Sequence, residues 1–129
     1  MNRPRVNYRN IDKIQSNRIA SGLTNSGDLA KKVSGSGSRW YAKGDAISKM
    51  FLVEAKDKAT PAKQRTIHRD VFDKLRLEAI GERKIPLYVV GFGDGQDFMI
   101  LNDLDFYALI ERLLLAEKKV EELTNQEID

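Results

Sequence analysis

Cysteine is absent from the 129-residue chain, and histidine occurs once, as His68. The lack of cysteine excludes disulfides, thiolate metal sites and cysteine nucleophiles. A single histidine excludes a histidine-rich zinc site and argues against a histidine-based catalytic triad. No apolar run reaches the roughly 18–20 residues of a membrane span, and the first ten residues lack the apolar core of a secretion signal. We therefore expect a cytoplasmic protein with no membrane partner and no organic cofactor.

The length suits one domain with a single hydrophobic core. Hydrophobic residues make up 41% of the chain and charged residues 32%, which is ordinary for a globular protein. Residues 1–10 carry three arginines and show little periodicity, so we expect a basic flexible arm there. Residues 11–129 are expected to form the single domain.

The net charge of +3 is unevenly distributed along the chain. Residues 1–70 contain 15 lysines and arginines against 6 acidic residues, whereas residues 71–129 contain 7 against 13. Such asymmetry indicates that the first segment binds a polyanion. A chance excess of solvated lysines is the alternative.

Apolar spacing predicts three helices. The first closes near Gly22 or Gly27, the second is capped by Thr66 and ended by Gly81, and the third runs from residue 102 or 103 toward 124. The apolar face of the first comprises Ile11, Ile14, Ile19 and Leu23, and that of the second Ile67, Val71, Phe72, Leu75 and Ala79. We expect the many apolar residues of the third helix mostly to pack on a sheet, with a self-association surface as the alternative.

The predicted strands lie between these helices. Residues 45–47 form a short strand, residues 48–49 a turn, and residues 50–56 a stronger strand. The apolar run 85–91 predicts a central strand that is buried on both faces, and a glycine-rich turn leads into a last strand at 98–101. The order is helix, two or three strands, helix, two strands, helix. It predicts an α/β fold with a small mixed sheet flanked by helices.

One group of residues in the first hairpin has the composition of a catalytic site. Strand alternation puts Glu54 and Lys56 on one face. A turn at residues 48–49 would set Asp45 opposite Leu52 and diagonal to Glu54, about 7–8 Å away at the backbone. Two such carboxylates can share a Mg²⁺ ion, which keeps waters and accepts phosphate oxygens. The Lys56 ammonium can orient or deprotonate a water and offset charge on the phosphate.

Spacing alone leaves another interpretation open. Glu54 and Lys56 can form an ion pair on an exposed sheet face, with Asp45 a simple turn residue. The tripeptide Glu-x-Lys is common, so it does not distinguish a catalytic site from a surface pair.

The wider sequence context resembles a known family. Gly44-Asp45 followed by Glu54-Ala55-Lys56 is similar to the core of the nucleases named for a proline–aspartate … (aspartate/glutamate)-x-lysine motif. Within that superfamily the chain most resembles the Holliday junction resolvases of archaea and phages. The serine- and glycine-rich loop at residues 34–38 and the strand at 85–90 add to the likeness, which covers about residues 12–110.

The resemblance implies a restriction-endonuclease-like core and a function in DNA recombination and repair. The implied protein is a homodimeric, structure-selective endonuclease that resolves four-way DNA junctions by paired symmetric nicks. It implies Mg²⁺, with Mn²⁺ as a substitute, held by Asp45, Glu54 and Ala55, and Lys56 as a catalytic residue. Another nuclease activity of the superfamily (nicking, restriction-like or exonuclease) and a non-catalytic DNA-binding protein of the same fold are the alternatives.

Two positions depart from the family pattern. Gly44 stands where the superfamily name has proline. The first helix lacks the glutamate that the family carries there as an additional metal or water ligand. Gln15 or Asn17 would take that place as a neutral oxygen donor, and whether one or two metal ions bind stays open.

Residues around the hairpin are candidates for DNA contact. Serine hydroxyls, glycine backbone N–H groups and basic side chains can bind phosphate, and an aromatic ring can stack on unpaired bases. The candidates are Ser36, Ser38, Arg39, Trp40, Lys43 and Lys58. A plain flexible loop, a half-buried tryptophan and solvated lysines are the corresponding alternatives.

Overall fold

The computed structural model describes residues 8–33 and 44–128. The helices are α1 (Tyr8–Asn25), α2 (Arg69–Glu82) and α3 (Asp103–Ile128), and the strands are β1 (Ala30–Lys32), β2 (Ala46–Ser48), β3 (Phe51–Lys56), β4 (Ile85–Gly91) and β5 (Asp97–Ile100). The α/β class and the order of elements are confirmed. Within the described ranges no helix combines the length and the apolar character needed to cross a membrane.

Several predicted features fall on residues outside this description. They include residues 1–7 of the predicted arm. Five of the six candidate DNA-contacting residues also lie there: Ser36, Ser38, Arg39, Trp40 and Lys43.

The five strands form one mixed sheet in the order β1-β2-β3-β4-β5. Strands β3 and β4 are parallel, and the other neighbouring pairs are antiparallel. Because parallel neighbours need a crossover connection, α2 lies between β3 and β4 in the chain. Strand β4 is buried from Pro86 to Gly91, which confirms the central strand predicted from its apolar run.

Helices cover both faces of the central strands. On one face Ile19 of α1 packs with Val53, Ala55 and Val89. On the other, α2 packs on the sheet in a cluster that comprises Leu52, Phe72, Leu75, Ala79, Tyr88 and Val90. Strand alternation therefore places the even-numbered residues of β3, Glu54 and Lys56 among them, on the α2 face.

The register predicted for the first hairpin is wrong by two residues. Ala46 pairs with Val53 and Ile47 with Leu52, so the turn lies at residues 49–50 and not at 48–49. Ser48 belongs to β2, and its buried hydroxyl explains the shift. It donates to Asp28 Oδ2 (2.6 Å) and accepts from the Phe51 N–H (2.8 Å).

The bounds of the first two helices also differ from expectation. Helix α1 begins at Tyr8, inside the predicted arm; it continues through Gly22 and ends at Asn25, close to Gly27, the other predicted end. Thr66 does not cap α2; the N-cap is His68, which makes no side-chain cap hydrogen bond. The helix also passes Gly81 and ends with Arg83 in the left-handed conformation (φ 57°), where the Lys84 N–H donates to the Ala79 carbonyl.

Helix α3 does not pack on the sheet as predicted. Nine of its large apolar residues are exposed, by fractions from 40% for Ile110 to 71% for Leu104. Among residues 103–127, Asp105 and Leu109 are the two that are half-buried, and both lie near the start of the helix. The apolar surface of α3 therefore needs another explanation.

Candidate active site

Asp45 is held at the open end of the β2–β3 hairpin by the main chain of β3. Its N–H donates to the Val53 carbonyl (2.7 Å), and its Oδ2 accepts from the Ala55 N–H (2.7 Å). Both contacts fall on Val53 and Ala55, the residues on either side of Glu54, and not on Leu52, the residue that the predicted turn would set opposite Asp45.

Gly44 is required by its backbone conformation. Its φ is +77°, whereas proline is fixed near −65°, so proline cannot occupy this position in this conformation. A Cβ at Gly44 would also lie 2.8 Å from the Val53 carbonyl oxygen. The departure from the superfamily motif thus has a local physical cause: the chain enters β2 through a conformation that only glycine adopts readily.

Glu54 projects from β3 into a half-buried position beside Asp45. Its side chain is 24% exposed, and its Oε1 lies 3.4 Å from Lys56 Nζ. Burial raises the pKa of the Glu54 carboxyl, the negative charge of Asp45 raises it further, and the attraction of Lys56 offsets only part of this. The Glu54–Lys56 ion pair that the alternative interpretation expects is therefore present, but it is not an exposed pair, because Glu54 is mostly shielded from solvent.

Lys56 is in the opposite electrostatic situation. Burial lowers its pKa, but the attraction of Glu54 and Asp45 outweighs that effect, and the net shift is upward. The two members of the pair thus differ: the surroundings favour the charge on Lys56 and oppose the charge on Glu54. Lys56 therefore stays protonated near neutral pH and suits charge compensation better than proton abstraction.

The donor set at Asp45 and Glu54 fits one magnesium ion. Mg²⁺ binds through one or two carboxylates and keeps several waters. Burial raises the pKa of Glu54 and repulsion from Asp45 adds to the rise, and a bound cation relieves that repulsion. In residues 8–33 and 44–128 no third acidic or histidine side chain completes a larger cluster. The Ala55 N–H contacts Asp45, and because the N–H and C=O of one strand residue point the same way, the Ala55 carbonyl points to the same edge of β3.

Gln15 and Asn17, the two candidates on the first helix, lie in different surroundings. Gln15 is fully buried, and its Nε2 donates to the Lys56 carbonyl (3.0 Å) and to Asp97 Oδ1 (3.2 Å). Its Oε1 is buried without a hydrogen-bond partner among the described residues. Asn17 is exposed on α1 and takes no part in this network. Gln15 thus supports the main chain of β3 from the α1 side.

Sequence reasoning missed an acidic cluster just beyond β3. Arg18 binds Asp97 through two hydrogen bonds (2.7 and 2.8 Å) and reaches Asp57 at 3.4 Å. These bonds raise the pKa of the Arg18 guanidinium above its ordinary value. Asp57 Oδ1 also accepts from the Gly93 N–H (3.0 Å). In the sequence, the sign of this cluster is Asp57, the aspartate directly after Lys56.

A cleft of about 370 Å³ adjoins Lys56 on the α2 side. Its lining includes Lys58, Arg65, His68 and Tyr88. Arg65 is held there by hydrogen bonds from its Nη1 to the carbonyls of Gly91 and Lys56. Lys58, a predicted DNA contact, therefore lies beside the candidate catalytic lysine, in a cleft with basic walls.

No protein-family model, curated protein sequence or solved structure matches the chain. The function is therefore inferred from the chemistry of the site and from the resemblance of its sequence motif. Both refer to the same three side chains.

Proposed function

We propose that the chain is a Mg²⁺-dependent DNA endonuclease with a restriction-endonuclease-like core. The observation that carries the proposal is the meeting of Asp45, Glu54 and Lys56 on one sheet face, with two carboxylates and one ammonium group close enough to perturb one another. The preferred substrate is a four-way DNA junction, and the active species is a homodimer in the cytoplasm.

Each residue has a role that follows from its contacts. Asp45 and Glu54, with the Ala55 carbonyl, would hold the ion. When bound, Mg²⁺ supplies Lewis acidity at the phosphate and a lowered pKa for a bound water. The Ala55 N–H fixes the orientation of the Asp45 carboxylate. Lys56 remains charged and stabilises negative charge that develops on the phosphate oxygens.

The surroundings of the site suit a polyanion. Residues 1–70, which contain the hairpin, hold 15 basic residues against 6 acidic ones. Lys58 and Arg65 line the cleft next to Lys56. Contacts of this type bind the backbone without reading the bases, so they position DNA by charge and shape.

Branched DNA is favoured over a linear duplex because two equal cuts require two equivalent sites. A twofold homodimer presents such sites, and its basic surfaces can match the fixed arrangement of four negative arms. A linear duplex matches only part of that pattern. It should bind more weakly and be cut more slowly.

The test uses an immobile, end-labelled four-way junction with Mg²⁺ and an excess of unlabelled linear duplex. We expect paired nicks, placed symmetrically across the branch point in strands of like polarity, which yield two ligatable duplexes. Equal rates on junction and duplex, or degradation from DNA ends, would refute the resolvase assignment. The broader nuclease proposal would survive and would point to a nicking, restriction-like or exonuclease activity.

A non-catalytic DNA-binding protein is the second candidate, and one observation favours it. Glu54 already pairs with Lys56, and Asp45 already binds a backbone N–H, so the site is partly satisfied without a metal ion. In that case the junction would be bound and would stay intact at every concentration of Mg²⁺ or Mn²⁺.

A further inference from the structure

Helix α3 carries an apolar stripe that nothing in residues 8–33 or 44–102 covers along most of its length. The helix has 26 residues and extends for about 39 Å at 1.5 Å per residue. Leu113, Val120 and Leu123 are 54%, 63% and 53% exposed. A contiguous apolar stripe of this length is uncommon on a monomer and is typical of an interaction surface.

The stripe has the spacing of a coiled-coil seam. Alternating steps of three and four residues connect Phe106, Leu109, Leu113, Ala116, Val120 and Leu123. This is the a and d pattern of three successive heptads. Beyond Ala116 the seam contains the only apolar residues of α3 before Ile128, since charged and polar residues occupy the other positions. The seam therefore continues where the rest of the helix has become polar.

The flanking charges are complementary to those of a second copy of this chain. With Phe106 at position a, Arg112 is at g and Glu117 at e of the next heptad. In a parallel, in-register pair these two positions face each other across the seam, and symmetry gives two Arg112–Glu117 contacts. An antiparallel pair with full overlap would instead set Arg112 beside Lys119 of the other copy, twice. Like charges there oppose that arrangement.

We propose that α3 forms a parallel, two-stranded coiled coil with α3 of a second copy. The six residues of the seam bury their apolar side chains in that contact. Both folded bodies then lie at the same end of the coiled coil, where α3 begins. The inference deepens the homodimer of the proposed function by naming its contact surface. The two can fail separately, because loss of the coiled coil alone would leave uncoupled single nicks and not abolish cleavage.

Cysteine cross-linking tests the arrangement, because the chain has no cysteine of its own. Ala116→Cys places a thiol in the seam, next to the same position of the other copy if the helices are parallel. Leu115→Cys is the matched control, one residue away and outside the seam. Under mild oxidation we expect Ala116→Cys to give a covalent dimer on a denaturing gel while Leu115→Cys stays monomeric. Equal cross-linking of both variants would overturn the proposal.

A mixture of Leu113→Cys and Ala116→Cys distinguishes the two orientations. In the antiparallel pair, position 113 meets position 116 of the other copy. Cross-linking between the two different variants, without self-cross-linking of either, would therefore overturn the parallel arrangement.

Light scattering of the intact chain tests whether the seam holds the dimer. We expect twice the 14.7 kDa mass of one chain for the wild type and for Leu115→Asp. Leu113→Asp should raise the dimer dissociation constant at least about 100-fold, since it puts a charge into an apolar contact. Leu113 and Leu115 are similarly exposed, at 54% and 60%, so neither change should unfold the body. A monomeric wild type, or a dimer that is indifferent to Leu113→Asp, would overturn the proposal.

Discussion

The Ala55 N–H donates to Oδ2 of Asp45 at 2.7 Å, so a side chain takes the place of a backbone partner just before the start of β2. The bond fixes the orientation of the carboxylate relative to β3. It also brings Asp45 beside Glu54, whose charge it opposes. The main chain of β3 thus positions Asp45, which lies in the bend just before β2.

Substitutions at Asp45 should separate stability from activity. Asp45→Asn keeps an acceptor for the Ala55 N–H, so we expect a stable protein that binds DNA and has lost most of its cleavage. Asp45→Ala should lose cleavage and about 1–3 kcal/mol of unfolding free energy as well, because it leaves a partly buried donor without its partner. Urea denaturation of both variants measures the difference. Equal stability of the two would show that the hydrogen bond contributes little.

Glu54→Gln should stabilise the protein near neutral pH. The pKa of Glu54 is raised in the folded protein, first by burial and then by Asp45. The Glu54 carboxyl therefore contributes fully to the free energy of unfolding below the ordinary glutamate pKa, about 4.3. This contribution is lost as the pH rises through the pKa that Glu54 has in the folded protein. The gain from Glu54→Gln over the wild type should shrink on acidification. Unfolding free energies at pH 4 and 7.5 test this, and a gain that grows at low pH would contradict it.

Bound Mg²⁺ should stabilise the protein through the Glu54 carboxylate, whose charge is destabilising when no ion is bound. If Asp45 and Glu54 hold the ion, added Mg²⁺ should raise the urea midpoint of the wild type and raise that of Glu54→Gln much less. Glu82→Gln, which changes an exposed acid at the end of α2, is the control and should respond like the wild type. An identical response in all three proteins would place the ion elsewhere.

Ser48→Ala should weaken the hairpin that carries the site. The Ser48 hydroxyl joins Asp28 to the Phe51 N–H and is 4% exposed. Its removal leaves buried polar groups without partners, and we expect a loss of about 1–3 kcal/mol. Ser21→Ala, at an exposed position of α1, should change stability by less than about 0.5 kcal/mol. Comparable denaturation curves for the two variants would contradict the role given to Ser48.

The salt dependence of DNA affinity should report the basic cleft. Lys58→Ala removes a charge beside Lys56, so the slope of log affinity against log salt should decrease by about one unit. Lys118→Ala, in the polar part of α3, should leave the slope unchanged. Binding titrations of a junction at several salt concentrations measure both. Equal effects of the two substitutions would contradict the proposed polarity of the chain.

The sequence was most informative where one physical factor dominates. The apolar run of β4 correctly predicted a strand covered on both faces, and the alternation in β3 correctly separated Val53 from Glu54. Strand β1 has the sequence Ala-Lys-Lys, without an apolar pattern, and was not identified. It is recognisable only from its pairing with β2.

The remaining errors have tertiary causes. The hairpin register depends on Asp28, a residue 20 positions before Ser48, so local turn chemistry could not predict it. On α1 the apolar pattern favoured Ile14, which is 61% exposed, over Gln15, which is fully buried. The reason is that the Gln15 amide meets the backbone of Lys56, a contact that apolar spacing does not register.

The central claim is that Asp45, Glu54 and Lys56 hydrolyse a phosphodiester bond. The most direct measurement follows a labelled four-way junction incubated with the purified chain, with Mg²⁺ or with a chelator, beside Glu54→Gln, Lys56→Ala and Glu82→Gln. Cleavage should require the metal, persist in Glu82→Gln and be lost in the other two variants while junction binding is retained. Cleavage by Glu54→Gln or Lys56→Ala at the wild-type rate, or none by the wild type with Mg²⁺ or Mn²⁺, would contradict the claim.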